Sequence, residues 1–140
     1  MKHLIILILC LPMLANAQSL NPNVTQATIK QTICVVGWTD TIRPPVSFTN
    51  RIKRRMLDAG IASGSYPKSA QMNEFKLDHI EPLSVGGAPR LISNLVIQSN
   101  VDSDAKDVIE GMVKRRICSG RITLATGRAV FFNEAWRTYK

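Results

Sequence analysis

The sequence predicts an α+β domain in which a short β-hairpin and a following helix are flanked by further helices. Two strand-like runs, residues 75–80 and 94–98, are separated by a connection rich in Gly, Ser and Pro, as in a hairpin with a long loop. Apolar residues at helical spacing follow the second run. The chain of 140 residues is 45% apolar and 20% charged, which is typical of one globular domain. A disordered tail, a fibrous protein and a multidomain enzyme are therefore excluded.

The N-terminal segment, residues 1–17, has the pattern of a signal peptide. Lys2 and His3 lead into an apolar run at residues 4–14, which is too short to anchor the chain in a bilayer. Ala15 and Ala17 are small residues that suit cleavage before Gln18. We therefore expect an exported protein, periplasmic or secreted and without a membrane anchor. Its mature part, residues 18–140, should form a single domain and a monomer.

The charge of the chain is strongly positive. The formal net charge is +8 for the whole sequence and falls to +7 when Lys2 leaves with the signal peptide. This excess favours nucleic acid, anionic surfaces or acidic polymers as partners.

Two cysteines, Cys34 and Cys118, remain after removal of residues 1–17. In an oxidising compartment they most simply form one disulfide, which would stabilise the fold by about 4 kcal/mol on the chain-entropy model. A four-sulfur zinc site is excluded because the sequence contains no Cys-x-x-Cys pair.

Residues 18–73 are predicted to form a wrapping arm and one helix. Residues 21–23 offer the start of a predicted helix over residues 24–31. Pro44-Pro45 interrupts any later element. We expect the arm to supply the core residues Ile33, Val35, Val36 and Trp38. Thr49-Asn50 is a capping signal for a helix over residues 51–59, with Gly60 as its stop. The basic face of this helix, which carries Arg51, Lys53, Arg54 and Arg55, could bind phosphate, although a solvated face is the commoner explanation.

Residues 74–116 are predicted to hold the hairpin and a helix, and residues 117–140 a C-terminal helix. Ser103 and Asp104 form a capped, acidic start for a helix over residues 104–116. After Cys118 a last amphipathic stretch, residues 122–136, is expected to pack on the core as a helix.

The hairpin carries an ordered set of polar residues and glycines. They read Leu77-Asp78-His79-Ile80-Glu81-Pro82-Leu83-Ser84, then Gly86-Gly87, then Asn94-Leu95. This set resembles the core of the HNH endonucleases, which have the ββα-metal fold. Its longer surroundings are similar to a group of small exported HNH-like proteins in which two cysteines flank the motif.

The resemblance implies a metal-dependent nuclease that hydrolyses DNA or RNA. His79 would be the general base that takes a proton from the attacking water, and Asp78 would be an oxygen ligand for Mg²⁺. Asn94 would hold the loop and orient the imidazole. Lys106 and Arg90 would hold the flanking phosphates.

The closing His of the family is missing, since Ser103 stands where it would fall, and Ser103 and Asp104 are taken with Asp78 as the candidate metal ligands. Asp104, Asp102 or Asn100 could supply an oxygen ligand instead, and the spacing does not choose among them. A site with few nitrogen ligands should favour Mg²⁺ or Mn²⁺ over Zn²⁺. Glu81 is either a charge on the face of the loop, which we favour, or a residue that hydrogen-bonds to a metal ligand from outside the site.

Two other hypotheses follow from the same residues. A catalytically inactive exported module could use the basic surface to bind nucleic acid or protein, and the missing His favours it. A toxin delivered to other cells would share the chemistry and would need a partner inhibitor protein. Nothing in the sequence selects DNA over RNA or one strand form over the other.

Overall fold

A computed structural model describes residues 19–140 of the chain, so the predicted signal peptide lies outside the described residues. The chain has α+β architecture, as predicted. Short 3₁₀ turns separate its main elements, which are α1 (Trp38–Ile42), α2 (Val46–Ala62), β1 (Phe75–His79), β2 (Leu95–Ser99), α3 (Asn100–Cys118) and α4 (Leu124–Ala129).

The two strands form an antiparallel hairpin in which Leu77 pairs with Ile97 and Asp78 with Val96. Successive side chains of a strand point to opposite faces. Lys76 and Asp78 therefore share one face, where both contact residues of α3. Helix α2 also packs against both strands, so the hairpin is held between two helices.

Helix α3 begins four residues earlier than the sequence predicts. The hydroxyl of Ser99 accepts a hydrogen bond from the backbone N–H of Asp102 at 3.1 Å, which makes Ser99 the N-cap. The prediction that Ser103 caps the helix is therefore wrong, because Ser103 lies within the first turns and is buried. The last strand residue and the cap are the same residue, so no loop separates β2 from α3.

Helix α2 is longer at both ends than predicted. It begins directly after Pro45, so Thr49 and Asn50 lie inside it rather than capping it. Gly60 does not stop the helix, which ends where Gly64 takes a left-handed φ of 79°. Gly60 is required for another reason: a Cβ there would collide with the ring of Tyr66.

The N-terminal arm has turns and a short 3₁₀ helix (Ile29–Gln31) where the sequence predicts a helix over residues 24–31. Ile33 is fully buried as expected, and Trp38 packs on the core. The predicted burial of Val35 and Val36 is wrong, since they are 43% and 97% exposed on a turn that reverses the chain before α1.

The start of the arm pairs with the connection between the strands. The backbone N–H of Asn21 donates to the carbonyl of Gly86 at 2.9 Å, and that of Ala88 donates to the carbonyl of Ser19 at 2.8 Å. The arm is thus hydrogen-bonded to the loop that connects the two strands.

The C-terminal stretch is not the single helix predicted over residues 122–136. Helix α4 is short, and Asn133 and Glu134 have left-handed φ values of 49° and 59° that break the helical path. Trp136 is nevertheless buried in the core, as expected.

The main core lies between the arm, the second half of α3, α4 and the C-terminal turns. Its buried members include Val24, Ile29, Ile33, Val85, Val113, Ile117, Leu124, Val130, Phe131 and Trp136. The predicted disulfide between Cys34 and Cys118 is confirmed, with their Cα atoms 5.5 Å apart, and it ties the arm to the end of α3. Within residues 19–140 no helix is long and apolar enough to cross a membrane.

Candidate active site

The end of β1 and the middle of α3 form a polar pocket. Asp78 and His79 are the last two residues of β1, and Asn94 lies opposite them just before β2. A pocket of about 230 Å³ opens beside them and is lined by the side of α3 that carries Asp107 and Glu110. The sequence thus brings Asp78 and His79 to the same pocket, as predicted from the order of the motif.

The ring of His79 is buried, yet it borders two pockets. Besides the 230 Å³ pocket it lines a second one of about 290 Å³ that α2 also lines. Its Nε2 lies 3.1 Å from the carbonyl oxygen of Pro89. Because a carbonyl only accepts, Nε2 carries the hydrogen and Nδ1 keeps its lone pair. Burial lowers the pKa of His79 below its usual value, so the ring is neutral near pH 7.

Asp78 is fixed through both carboxylate oxygens. Oδ1 accepts from the backbone N–H of His79 at 2.7 Å, and Oδ2 accepts from Nζ of Lys106 at 3.2 Å. The carboxylate is held in one orientation between its own backbone and α3.

Lys106 is a buried cation, with a side chain that is 1% exposed. Its ammonium donates to Oδ2 of Asp78 and to the carbonyl of His79, and lies 3.4 Å from Oε1 of Glu110. The aromatic ring of Phe131 lies 5.9 Å away. These partners occupy the ammonium within the protein, so the structure places Lys106 beneath the pocket rather than on a phosphate-binding surface.

Glu110 and Asp107 are pocket residues that sequence reasoning missed. Burial raises the pKa of Glu110 to about 7, and the neighbouring Lys106 opposes the shift. The pKa of Asp107 is raised as well, first by burial and then by the charge of Asp78. Both residues follow Ser103 and Lys106 at a spacing of four, which places all of them along one side of a helix. That spacing is the signal that could have identified them.

Asn94 is fully buried and fastens the connection between the strands. Its Oδ1 accepts from the backbone N–H of Glu81 at 2.8 Å, and its Nδ2 donates to the carbonyls of Glu81 and Ala88 at 3.0 Å. Ala88 precedes Pro89, whose carbonyl receives the hydrogen bond of His79. Asn94 therefore acts on the imidazole through the loop backbone.

Glu81 is not the exposed loop charge that the sequence predicts. It is 4% exposed, and burial raises the pKa of its carboxyl. Nearby Arg128 donates to the carbonyls of Val85 and Val24, both at 2.9 Å. Arg128, which sequence reasoning did not select, joins α4 to both the loop and the arm.

Three other predicted site residues lie away from the pocket lining. Asp104 is exposed and pairs with Lys76 at 2.5 Å, whereas Ser103 is buried in α3. Arg90 is exposed, with its guanidinium carbon 6.0 Å from the ring centre of Phe48. The structure does not bring the predicted ligands Ser103 and Asp104 to Asp78.

Oxygen donors of the kind that Mg²⁺ prefers do line the pocket, namely the carboxylates of Asp78, Asp107 and Glu110. In the described part of the chain, no group of three or more His, Cys, Asp and Glu side chains is spaced to hold a metal ion. The ammonium of Lys106 lies 3.2 Å from Oδ2 of Asp78 and 3.4 Å from Oε1 of Glu110, so it already contacts two of these carboxyl groups. The donors therefore fit Mg²⁺ in their chemistry, whereas Lys106 sets their present spacing.

The structure defines an α+β domain with a helix-flanked hairpin, one disulfide and a polar pocket at the end of the hairpin. The chain matches no protein-family model, and no curated protein or solved structure is significantly similar to it. Its function must therefore be argued from the side chains of the pocket.

Proposed function

We propose that this protein is an exported nuclease that hydrolyses phosphodiester bonds of DNA or RNA on an HNH-like ββα core. The environment of His79 carries the proposal. A ring that is neutral near pH 7, keeps a lone pair on Nδ1 and borders two pockets is suited to take a proton from water. The positive charge of the chain supports a polyanionic substrate.

The positions of Asp78 and His79 suit a shared substrate. Asp78 contacts Lys106 of α3, and the ring of His79 reaches the loop carbonyl of Pro89. Because both residues line the 230 Å³ pocket at the end of β1, a phosphodiester bound there would lie beside both the proposed base and the charged cluster.

The proposed cofactor is a divalent cation, with Mg²⁺ expected ahead of Mn²⁺ or Zn²⁺. When bound, it would polarise the phosphate and stabilise the departing oxygen. Asp78, with Asp107 and Glu110, would hold it. Lys106 would have to give up part of its contact with Asp78 and Glu110, since its ammonium lies beside both.

Cutting of plasmid DNA and RNA by the oxidised protein tests the proposal. The reaction is run with Mg²⁺, Mn²⁺ or chelator, on the wild type and on His79→Gln, which keeps an N–H donor for Pro89 but supplies no base. We expect a loss of about 10²–10⁴-fold, the usual contribution of a general base. Arg121→Gln, a change at an exposed residue, is the control and should cut normally.

The pH profile of the same reaction gives a second test. Because the pKa of His79 is below its ordinary value of 6.5, cutting should persist as the pH falls through 6.5 and be lost only at lower pH. In the first test, equal cutting by His79→Gln and wild type would refute the role of His79 as the base.

The second candidate is a binding module without catalysis, which the contact of Lys106 with Asp78 and Glu110 favours. Salt-sensitive binding of DNA or RNA, with no cutting under any metal condition, would support this candidate instead.

A further inference from the structure

Helix α2 presents a polar stripe to a groove beside the pocket. Its members recur at helical spacing, namely Thr49, Asn50, Lys53 and Arg54. Ile52 and Leu57 lie on the buried side of the same helix. Three of the four basic residues of α2, Arg51, Lys53 and Arg54, line this groove, and Arg51 and Arg54 are exposed there.

The groove lies next to the pocket of His79. The 230 Å³ pocket and the 290 Å³ pocket share Arg43 and His79. The 290 Å³ pocket shares Asn50 and Lys53 with a third, more open pocket of about 540 Å³. We call the second and third pockets together the α2 groove, which runs from His79 along the helix.

Every charged side chain that lines the α2 groove is basic, although Lys76 and Arg43 pair with Asp104 and Asp40 outside it. Its lining contains five cations, which are Arg43, Lys53, Lys76, Arg51 and Arg54, and no acidic side chain among the described residues. Arg51 and Arg54 have no ion-pair partner within residues 19–140. Lys53 is held in the groove by its hydrogen bond to the carbonyl of Phe75 at 2.6 Å. Cations placed along one path from a hydrolytic site suit a chain of phosphates.

We propose that the α2 groove binds the nucleic-acid strand on one side of the scissile phosphate, through its sugar–phosphate backbone. The proposal rests on the proposed function for the position of the scissile bond. Arg51 and Arg54 contact successive phosphates, and the side-chain amides of Asn50 and Asn73 add hydrogen bonds at the same wall. A second basic patch at Arg115, Arg116 and Arg121 is not joined to the His79 pocket and has no part in this binding.

Fluorescence anisotropy with a labelled single-stranded 12-nucleotide DNA tests the α2 groove. The measurement is made on the oxidised protein in chelator, so that cutting does not consume the probe. Arg51→Gln/Arg54→Gln is compared with Arg115→Gln/Arg121→Gln, which removes the same charge from the second patch. We expect the Kd of the α2 variant to be at least tenfold higher. The slope of the logarithm of the binding constant against the logarithm of the salt concentration should be smaller in size by about 1.4, because each phosphate contact on a single strand contributes about 0.7. The control should keep the wild-type slope.

Equal weakening in both variants would overturn the proposal, since binding would then follow net charge alone. Asn50→Glu and Ser119→Glu form a second matched pair that adds one acid to each patch, and only Asn50→Glu should weaken binding. Cutting assays separate this proposal from the proposed function. Loss of binding in the α2 variants of a protein that never cuts supports the groove and rejects the nuclease, whereas normal cutting by the α2 variants rejects the groove alone.

Discussion

At the scale of single residues, Lys106 organises the pocket. A buried ammonium is costly to desolvate unless anionic and hydrogen-bonding partners surround it. Asp78, Glu110 and the carbonyl of His79 provide those partners. Lys106 therefore fixes the acidic residue next to the proposed base, and its removal should affect the fold before it affects substrate binding.

Lys106→Met should lower the free energy of unfolding by about 3–5 kcal/mol, because it leaves carboxylates buried without their cation. Urea denaturation measures the change. The matched control is Lys76→Met, which breaks an exposed pair with Asp104 and should cost less than about 1 kcal/mol. Addition of Glu110→Gln to Lys106→Met should recover part of the loss. Equal effects of the two lysine variants would show that Lys106 is not a structural cation.

The sequence predicts some of these residues and hides others for a physical reason. Asp78, His79 and Asn94 were found because their order along the hairpin is local information. Lys106 and Glu110 continue the buried side of α3 that Val113 and Ile117 extend. Polar residues on such a stripe are assigned to solvent by any hydrophobic pattern, and only the packed structure shows their partners.

At the scale of elements, the connection between β1 and β2 depends on close backbone contact. A Cβ at Gly87 would collide with the carbonyl of Glu81 and lie 3.0 Å from Nδ2 of Asn94. The loop can therefore close around the Asn94 amide only with glycine at this position. This requirement gives the Gly-Gly pair of the motif a structural role.

Gly87→Ala should lower the free energy of unfolding by about 1–3 kcal/mol, the range for overpacking a buried site. Gly111→Ala is the matched control, because its Cβ would meet only the flexible end of Arg115 inside α3. That change should be neutral or stabilise by up to about 1 kcal/mol through helix propensity. Thermal unfolding of the two variants gives the comparison, and a stable Gly87→Ala protein would contradict the close-contact argument.

Element boundaries were predicted less well than element types. The hairpin was placed within a residue at each end because alternation and turn residues are local signals. Helices α2 and α3 begin earlier than expected because Pro45 and Ser99, at the ends of the preceding segments, start them. The prediction of a C-terminal helix was wrong because Asn133 and Glu134 adopt left-handed conformations, which the spacing of apolar residues does not reveal.

At the scale of the whole molecule, the disulfide joins the N-terminal arm to the end of α3. Cys34 and Cys118 are 84 residues apart in sequence, and the bond encloses α1, α2, the hairpin and α3. Lys30 reinforces the junction by donating to the carbonyl of Cys118 at 2.6 Å. The arm that this bond retains also pairs with the loop at Gly86.

Cys34→Ala/Cys118→Ala should lower the free energy of unfolding by about 4 kcal/mol, as the loss of a long enclosed loop predicts. Lys30→Met removes only the hydrogen bond at the same junction and should cost about 1 kcal/mol or less. Guanidinium denaturation of both variants, each without added thiol, provides the measurement. A cysteine variant as stable as Lys30→Met would mean that the arm is retained by its packing and not by the covalent bond.

The link between arm and loop has a consequence for timing. Glutathione keeps thiols reduced in the cytosol, where a new chain would lack the bond that holds the arm against the Gly86 loop. If the chain is the exported protein proposed above, its reduced form would be less stable by about 4 kcal/mol before export. Oxidation outside the cytosol would then fasten the arm to the end of α3 and so steady the Gly86 loop with which the arm pairs.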